Sequence, residues 1–440
     1  MRSWFGVLLL SACGGPICEV GPTDAPTVLR AEVTTARPER LQVVWQTEAG
    51  ESSTPLDAEP STSHAWLLLD LAPLVDVSWQ VRDEGGDEVC AGAAQTANLA
   101  PGTPTFVVDV PDATAPAYWL ATISGMTAGH IQSQVAMFRA DGSWIWVYAD
   151  PTIDRQIIHA DLTADGVRYN RFDALRETDV ATIDGRALDG AAGASRRTEL
   201  AHHYYVGLEG DAVAYQRADA RVVDPYGCVV GDTIVEQAGD GSERVIWSAW
   251  DDLPLAPGAT WNSDFYKGCK DWTHGSGLTW RAEDDTLLLS LIGTQQVVHV
   301  DRQSGATLAV FGAGGTHVVD ATSPGFAIPH GARWASSGEL LVFDAHKTPA
   351  ESGCYLYRID DVTKTLVSEA RWVDTARKGM FLGSVRELDD GRIQCTWGSD
   401  GLLRVFERDA QKPSYELHIN GLNQFGSVTP LGSLPGLSAN

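Results

Sequence analysis

Three segments of the chain carry histidine in the same frame: HHYYVGLEGDAVAY from His202, HGSGLTWRAEDDTLLLSL from His274 and HGARWASSGELLVFD from His330. In each, histidine opens a polar-aromatic alternation, followed by a Gly or Asp turn and an apolar run. A fourth segment, LGSVRELDDGRIQCTWG from Leu382, keeps the frame with Gly383 in the histidine slot. A neutral imidazole can attack as a nucleophile and leave again, and it can carry a proton in either direction near neutral pH. Side chains alternate sides along a strand, so one slot defines one direction in space. Radial stacking of such units turns His274, His330 and either His202 or His203 toward a common point.

The elements that must position these residues read as strands throughout, and helical periodicity is nearly absent. Residues 26–110 hold short alternating strands, LQVVWQT, SWQVRDE and TFVVDV, whose spacing predicts a small fibronectin-like β-sandwich. Asp112 to Pro116 reads as a linker. From Ala117 to the end at residue 440, six strand-rich units of about 40 to 60 residues follow, the repeat length of propeller blades. The third unit begins at Ala201, the fourth at Asp271, the fifth at Phe326 and the sixth at Met380. A closed ring hides the edges of so many short strands, so the expected fold is all-β, a six-bladed β-propeller behind a β-sandwich.

The chain is 440 residues long with 32 basic and 58 acidic residues, a net charge of −26 that argues against a nucleic-acid partner. Arg2, the apolar run Trp4 to Leu10 and the sequence Leu10-Ser11-Ala12-Cys13 form a signal with a lipobox. Residues 1–12 are then a lipoprotein signal peptide, Cys13 the lipidation site, and 13–25 a Gly- and Pro-rich tether. The alternative is an ordinary cleaved signal with an incidental cysteine. Gly14 after the cysteine favours the outer membrane, by resemblance to Gram-negative lipoproteins. The expected location is therefore the periplasm or cell surface, with the membrane reached only through the lipid anchor. Six further cysteines suggest disulfides in an exported protein, with Cys228 and Cys269 the best candidate pair. No CxxC or metal-finger spacing is present, so neither a metal nor a cofactor is expected.

Taken in order, HHYYVGLEGD, VVGDTIVEQ with VIWSAWDDL, DWTHGSGLTW with DDTLLLSL, GFAIPHGARWASSGELLVFD and FLGSVRELDDGRIQCTWGS resemble the bacterial arylsulfotransferases over roughly residues 117–410. The resemblance implies a β-sandwich followed by a six-bladed propeller. It also implies transfer of a sulfuryl group from a phenolic sulfate ester to a phenol, without a nucleotide donor, through a sulfohistidine. His330 in PHGARW then matches the nucleophile, and His274 in DWTH a sulfuryl-binding or acid–base histidine. His203 or His202 matches the third. Small-molecule aryl sulfates and phenols are the implied partners.

Two positions depart from the family pattern. Where the family carries an arginine after the strand of the DWTH blade, this chain has Ile292 in LLLSLIG, which cannot clamp an oxyanion. Ser276 stands where the family has Asn and still offers a donor. Arg333 is a second candidate for substrate binding, although alternation points it away from His330 unless a bulge intervenes. His64, His130, His159, His299, His317, His346 and His418 read as loop or core hydrogen-bonders. Trp272, Trp280, Trp334 and Trp397 read as blade core, and Asp271, Asp344, Asp389 and Asp390 as turn or edge carboxylates without a catalytic role. The competing reading is a non-catalytic propeller lipoprotein that binds a sulfated or phenolic ligand or a protein partner. A calcium-dependent propeller hydrolase would need several acidic residues in slots that hold histidine.

Overall fold

The computed structural model describes residues 15–173, 180–255, 268–345, 352–377 and 379–437. Strands dominate: the helical elements among the described residues are the single turn Ala249–Asp252 and short 3₁₀ turns such as Glu209–Asp211. The strands form eight sheets.

Two sheets near the N-terminus pack face to face. One orders Ile17–Pro22, Leu29–Glu39 and Ser61–Leu68; the other orders Gly50–Ser53, Leu41–Thr47, Asp76–Asp83 and Glu88–Gln95. Strand alternation aims Leu29, Ala31 and Val33 inward against Val43, Trp45, Val77 and Val81, all buried. Cys18–Cys90 staples the first sheet to the second. The tether expected over 13–25 is shorter than the sequence suggested, because Ile17–Pro22 pairs with Leu29–Glu39 and belongs to this sandwich. Cys13 and the signal lie outside the described residues.

Six sheets of four or five strands make up the rest, numbered here as blades 1 to 6. Their inner strands are Asn423–Leu431 for blade 1 and Ala160–Thr163 with the short Arg155–Gln156 for blade 2. Ala201–Gly207 heads blade 3, Gly275–Arg281 blade 4, Pro329–Trp334 blade 5 and Ser384–Glu387 blade 6. These inner strands meet their neighbours in ring order, and blade 6 returns to blade 1. The second strands of blades 4 to 6 are buried on both faces between blades: every residue of Thr286–Leu291 (TLLLSL), Leu340–Asp344 and Ile393–Trp397 is buried.

Both ends of the ring are stitched across distance. The C-terminal Asn423–Leu431 pairs antiparallel with Tyr118–Thr127 and completes blade 1. Phe106–Val110, expected as the last strand of the sandwich, instead pairs with Tyr415–Ile419 as the outer strand of blade 6. Asp112 and Thr114, in the expected linker, are clamped by Arg392 at 2.6 and 3.1 Å. Cys228–Cys269 forms as expected, and Cys354–Cys395 joins blades 5 and 6. Three disulfides fit an oxidising, extracytoplasmic compartment. No helix among the described residues is long and apolar enough to cross a membrane.

Candidate active site

The inner strands run the same way around the ring, so their first residues gather at one mouth of the central channel. His202 and His203 open blade 3, His274 precedes blade 4 and His330 opens blade 5. Each of these strands is bulged at its start, between His202 and Tyr205, Gly275 and Gly277, and His330 and Arg333. The backbone bends with it: His203 and His274 have φ of 53° and 46°, and Gly331 has φ of 53°. Non-glycine residues seldom adopt this region, and neighbouring groups hold them there. The Asn170 amide donates to the His203 carbonyl at 2.6 Å, and the His274 N–H donates to Asp271 at 3.2 Å. In blade 6 the slot holds Gly383, φ 152°, because the Phe343 ring fills the space; a Cβ there would lie 2.3 Å from it.

The hydrogen-bond partners assign the imidazole protons. His202 Nε2 lies 2.7 Å from Asp232 Oδ1, an ion-pair contact rather than a well-aligned hydrogen bond, and this puts the proton on Nε2. Its Nδ1 then accepts from His203 Nδ1–H at 2.8 Å, and the acceptor nitrogen of His203 is Nε2. His274 donates from Nδ1 to Asp271 Oδ2 at 2.5 Å, so its Nε2 accepts in the neutral ring and donates in the cation. The His203 and His274 rings meet edge to face, with centroids 5.1 Å apart. An Asp232–His202–His203 chain and an Asp271–His274 pair thus converge.

His330 differs from both, because no carboxylate holds it. Its Nδ1 donates to the Ile328 carbonyl at 3.0 Å, and only 1% of the residue is exposed. Burial, opposed by the Ile328 carbonyl and reinforced by the charge of nearby His274, pushes its pKa down to about 4. His330 is therefore neutral at physiological pH with its lone pair on Nε2. Asp344 fixes the loop that holds it, accepting from the Ala327 and Ile328 N–H groups at 2.8 and 2.6 Å.

Burial raises the Asp232 carboxyl, but the His202 ring, the Thr273 hydroxyl and the Gly275 N–H outweigh it and hold the carboxyl below its usual range. Asp232 accepts from Thr273 Oγ1 and, at 2.8 Å, from Gly275 N, so it ties blade 3 to the start of blade 4. Asp232 was not legible as a site residue; it sits mid-strand and reaches His202 only through the pairing of blade 3. Asp271 was read as a turn carboxylate and is instead the His274 partner. Its signal lay in the sequence, three residues before the histidine.

Two expected binding residues stand differently from the sequence reading. Ser276 is fully buried and its hydroxyl donates to Pro329 O at 2.7 Å, so it ties blade 4 to blade 5 rather than offering a donor to the mouth. Arg333 pairs with Leu341 while His330 pairs with Phe343, three residues against two. The bulge therefore returns Arg333 to the same side of the sheet as His330, facing the channel further along. Ile292 lies beside the site, its N–H donating to the His274 carbonyl at 3.1 Å, and supplies no cation. Among the described residues no group of three or more His, Cys, Asp or Glu is arranged to hold a metal ion.

No protein-family model and no curated protein matches the chain. Among solved structures it is similar to a protein of unknown function from Bacteroides caccae, at 13% identity over 71% of this chain and 98% of that one, TM-score 0.40. It is similar to the nidogen/laminin complex at 13% identity, 72% and 100% coverage and TM-score 0.41. It is also similar to the β-propeller domain of Cps50 (Swd1) from Myceliophteria thermophila, at 14% identity, 65% and 82% coverage and TM-score 0.35. Likenesses this distant carry no functional argument, and the fold rests on the chain's own sheet order.

Proposed function

We propose that this chain is an exported aryl-sulfate sulfotransferase working through a sulfohistidine. The observation that carries the reading is His330: an imidazole buried to 1% exposure, anchored through Nδ1 to a backbone carbonyl and held neutral, beside an Asp-backed histidine. In the first half-reaction the Nε2 lone pair of His330 attacks sulfur, the S–O bond to the aryl group breaks, and the leaving phenoxide takes the Nε2 proton of His274, whose ring enters this step as the cation. In the second, the acceptor phenol gives its proton back to His274, its oxygen attacks sulfur, and the N–S bond breaks. Asp271 keeps His274 in the tautomer this needs and supports its cationic form. The Asp232–His202–His203 chain leaves His203 Nε2 as an acceptor beside His274, and it becomes a donor toward the sulfuryl oxygens when the His203 ring takes up a proton. Donors are phenolic sulfate esters and acceptors phenols, met outside the cytoplasm, with Cys13 as an acyl anchor to the outer membrane.

The second reading is a propeller that binds a sulfated or phenolic ligand without turnover, and Ile292 beside His274 favours it. A chromogenic phenyl sulfate separates the two. Sulfotransfer predicts phenol-dependent release of chromophore, and an adduct of one sulfuryl group on His330 when acceptor is withheld. Both should vanish in His330→Ala. Saturable binding with no release by the wild type would select the non-catalytic reading, and undiminished release by His330→Ala would refute the assignment of the nucleophile.

A further inference from the structure

The channel has a second mouth, where the inner strands end, and a cavity of about 1030 Å³ opens there. Arg333 from blade 5 and Arg386 from blade 6 project into it from adjacent inner strands. Protein surrounds both deep in the ring, yet each keeps part of its surface in the channel. Neither forms an ion pair within 4 Å among the described residues. Arg386 has one long contact, 3.5 Å to Thr429 Oγ1, and the Arg333 Nε is buried without a hydrogen-bond partner.

Glu283 and Asp389 also line the cavity, and several of the other surrounding carboxylates are already engaged. At the rim Asp284 pairs with Arg281, Asp390 with Arg392, and Glu387 accepts from the Ser336 N–H. Inside, Asp161 acts on both arginines through space and is held by His159 at 3.1 Å. Burial first, and then the Arg333 guanidinium, disfavour the charged form of Arg386. A guanidinium nevertheless keeps its proton in proteins, so two positive charges share one channel, with Asp161, and for Arg386 also Asp389, acting on them beyond ion-pair distance. Planar forks presented side by side fit the oxygens of a sulfate or phosphate group.

We propose that Arg333 and Arg386 form an oxyanion site, entered from the mouth opposite the histidines, for a sulfate- or phosphate-like dianion, free or as the head of an organic molecule. This site does not rest on the histidine chemistry. Isothermal titration of the full chain with sodium sulfate and with phenylphosphonate, a dianion with no ester to transfer, tests it. The expected result is saturable one-to-one binding to His330→Ala, in which the histidine mouth is disabled, weakened at least tenfold when Arg333→Gln or Arg386→Gln is added to that variant. Tighter binding of phenylphosphonate would identify an organic head group as the occupant, and equal binding a free ion. Undiminished affinity in both arginine variants, loss of binding in His330→Ala, or no saturable binding of either anion would overturn the proposal. If the glutamine variants do not fold, phenylglyoxal mapping of the wild type decides: sulfate should shield Arg333 and Arg386 but not Arg281, and absence of shielding would equally overturn it.

Discussion

His330 is kept neutral chiefly by burial, reinforced by the charge of His274, while its neighbours His202 and His274 lean on carboxylates, and the two environments suit different tasks. In the proposed reaction the neutral ring attacks, and the carboxylate-backed His274 exchanges the proton. The depressed pKa has a stability consequence. Between about 4 and 6.5 the unfolded chain binds a proton at His330 that the folded chain does not, so stability rises with pH across that window. It is fully present above pH 6.5 and is lost as pH falls toward 4, by about 3 kcal/mol for this group. Urea unfolding of the wild type and His330→Gln at pH 7 and pH 4.5 should show the wild type losing more stability than the variant. Equal losses would mean that His330 is protonated in the fold. Asp271→Asn tests the proton-transfer role separately. It should leave the unfolding midpoint nearly unchanged and lower phenol-dependent turnover by about 10²-fold or more, because His274 loses its tautomer partner. Unchanged turnover would remove His274 from the chemistry.

The strand is the scale at which the sequence was both most and least readable. The repeated frame identified where blades 3, 4 and 5 begin, because polar-aromatic alternation and the following turn are local signals. It did not reveal the bulges, since one extra residue leaves composition and periodicity almost untouched while reversing the facing of everything after it. Arg333 is the case in point: simple alternation sends it away from His330, and the bulge at Gly331 brings it back. Asp232 and Phe106–Val110 were unreadable for a different reason, namely that their partners are set by pairings remote in sequence. The Cys228–Cys269 pair was legible from neighbouring Gly-containing loops; Cys18–Cys90 and Cys354–Cys395 depend on which sheets pack together. The bulges also let inner strands approach closely. A Cβ on Gly277 would lie 2.4 Å from the Gly331 amide nitrogen, backbone that cannot step aside. Gly277→Ala should therefore cost about 1–3 kcal/mol in urea unfolding through overpacking. It should also lower turnover, since Gly331 adjoins His330. A variant as stable and active as the wild type would show that blades 4 and 5 can separate freely.

At the scale of the whole molecule, the ring is closed by two strands from opposite ends of the chain, and they are not equivalent. Asn423–Leu431 is an inner strand: its Phe425 and Val428 are buried with Trp119, Ala121 and Ile123 of blade 1 and with Leu403 and Leu417 of blade 6. Phe106–Val110 is an outer strand whose residues are only partly buried. Removing the inner strand exposes the Tyr118–Thr127 edge toward the channel, deletes the contact between blades 6 and 1, and leaves two blade cores open to water. Removing the sandwich but retaining Phe106–Val110 leaves the ring closed, at the cost of the apolar cluster in which Ala25, Val28 and Leu69 meet Leu120, Val135 and Ile145. A chain ending at Gly421 should accordingly lose cooperative thermal unfolding and be cut rapidly by protease within blade 1. A chain beginning at Thr103 should keep a single transition at a lower midpoint and retain the histidine mouth. Differential scanning calorimetry of the two truncations beside the full chain makes the comparison. A cooperative transition in the chain ending at Gly421 would mean that blade 1 does not need its C-terminal strand, and that the ring is held by blade-to-blade packing rather than by closure.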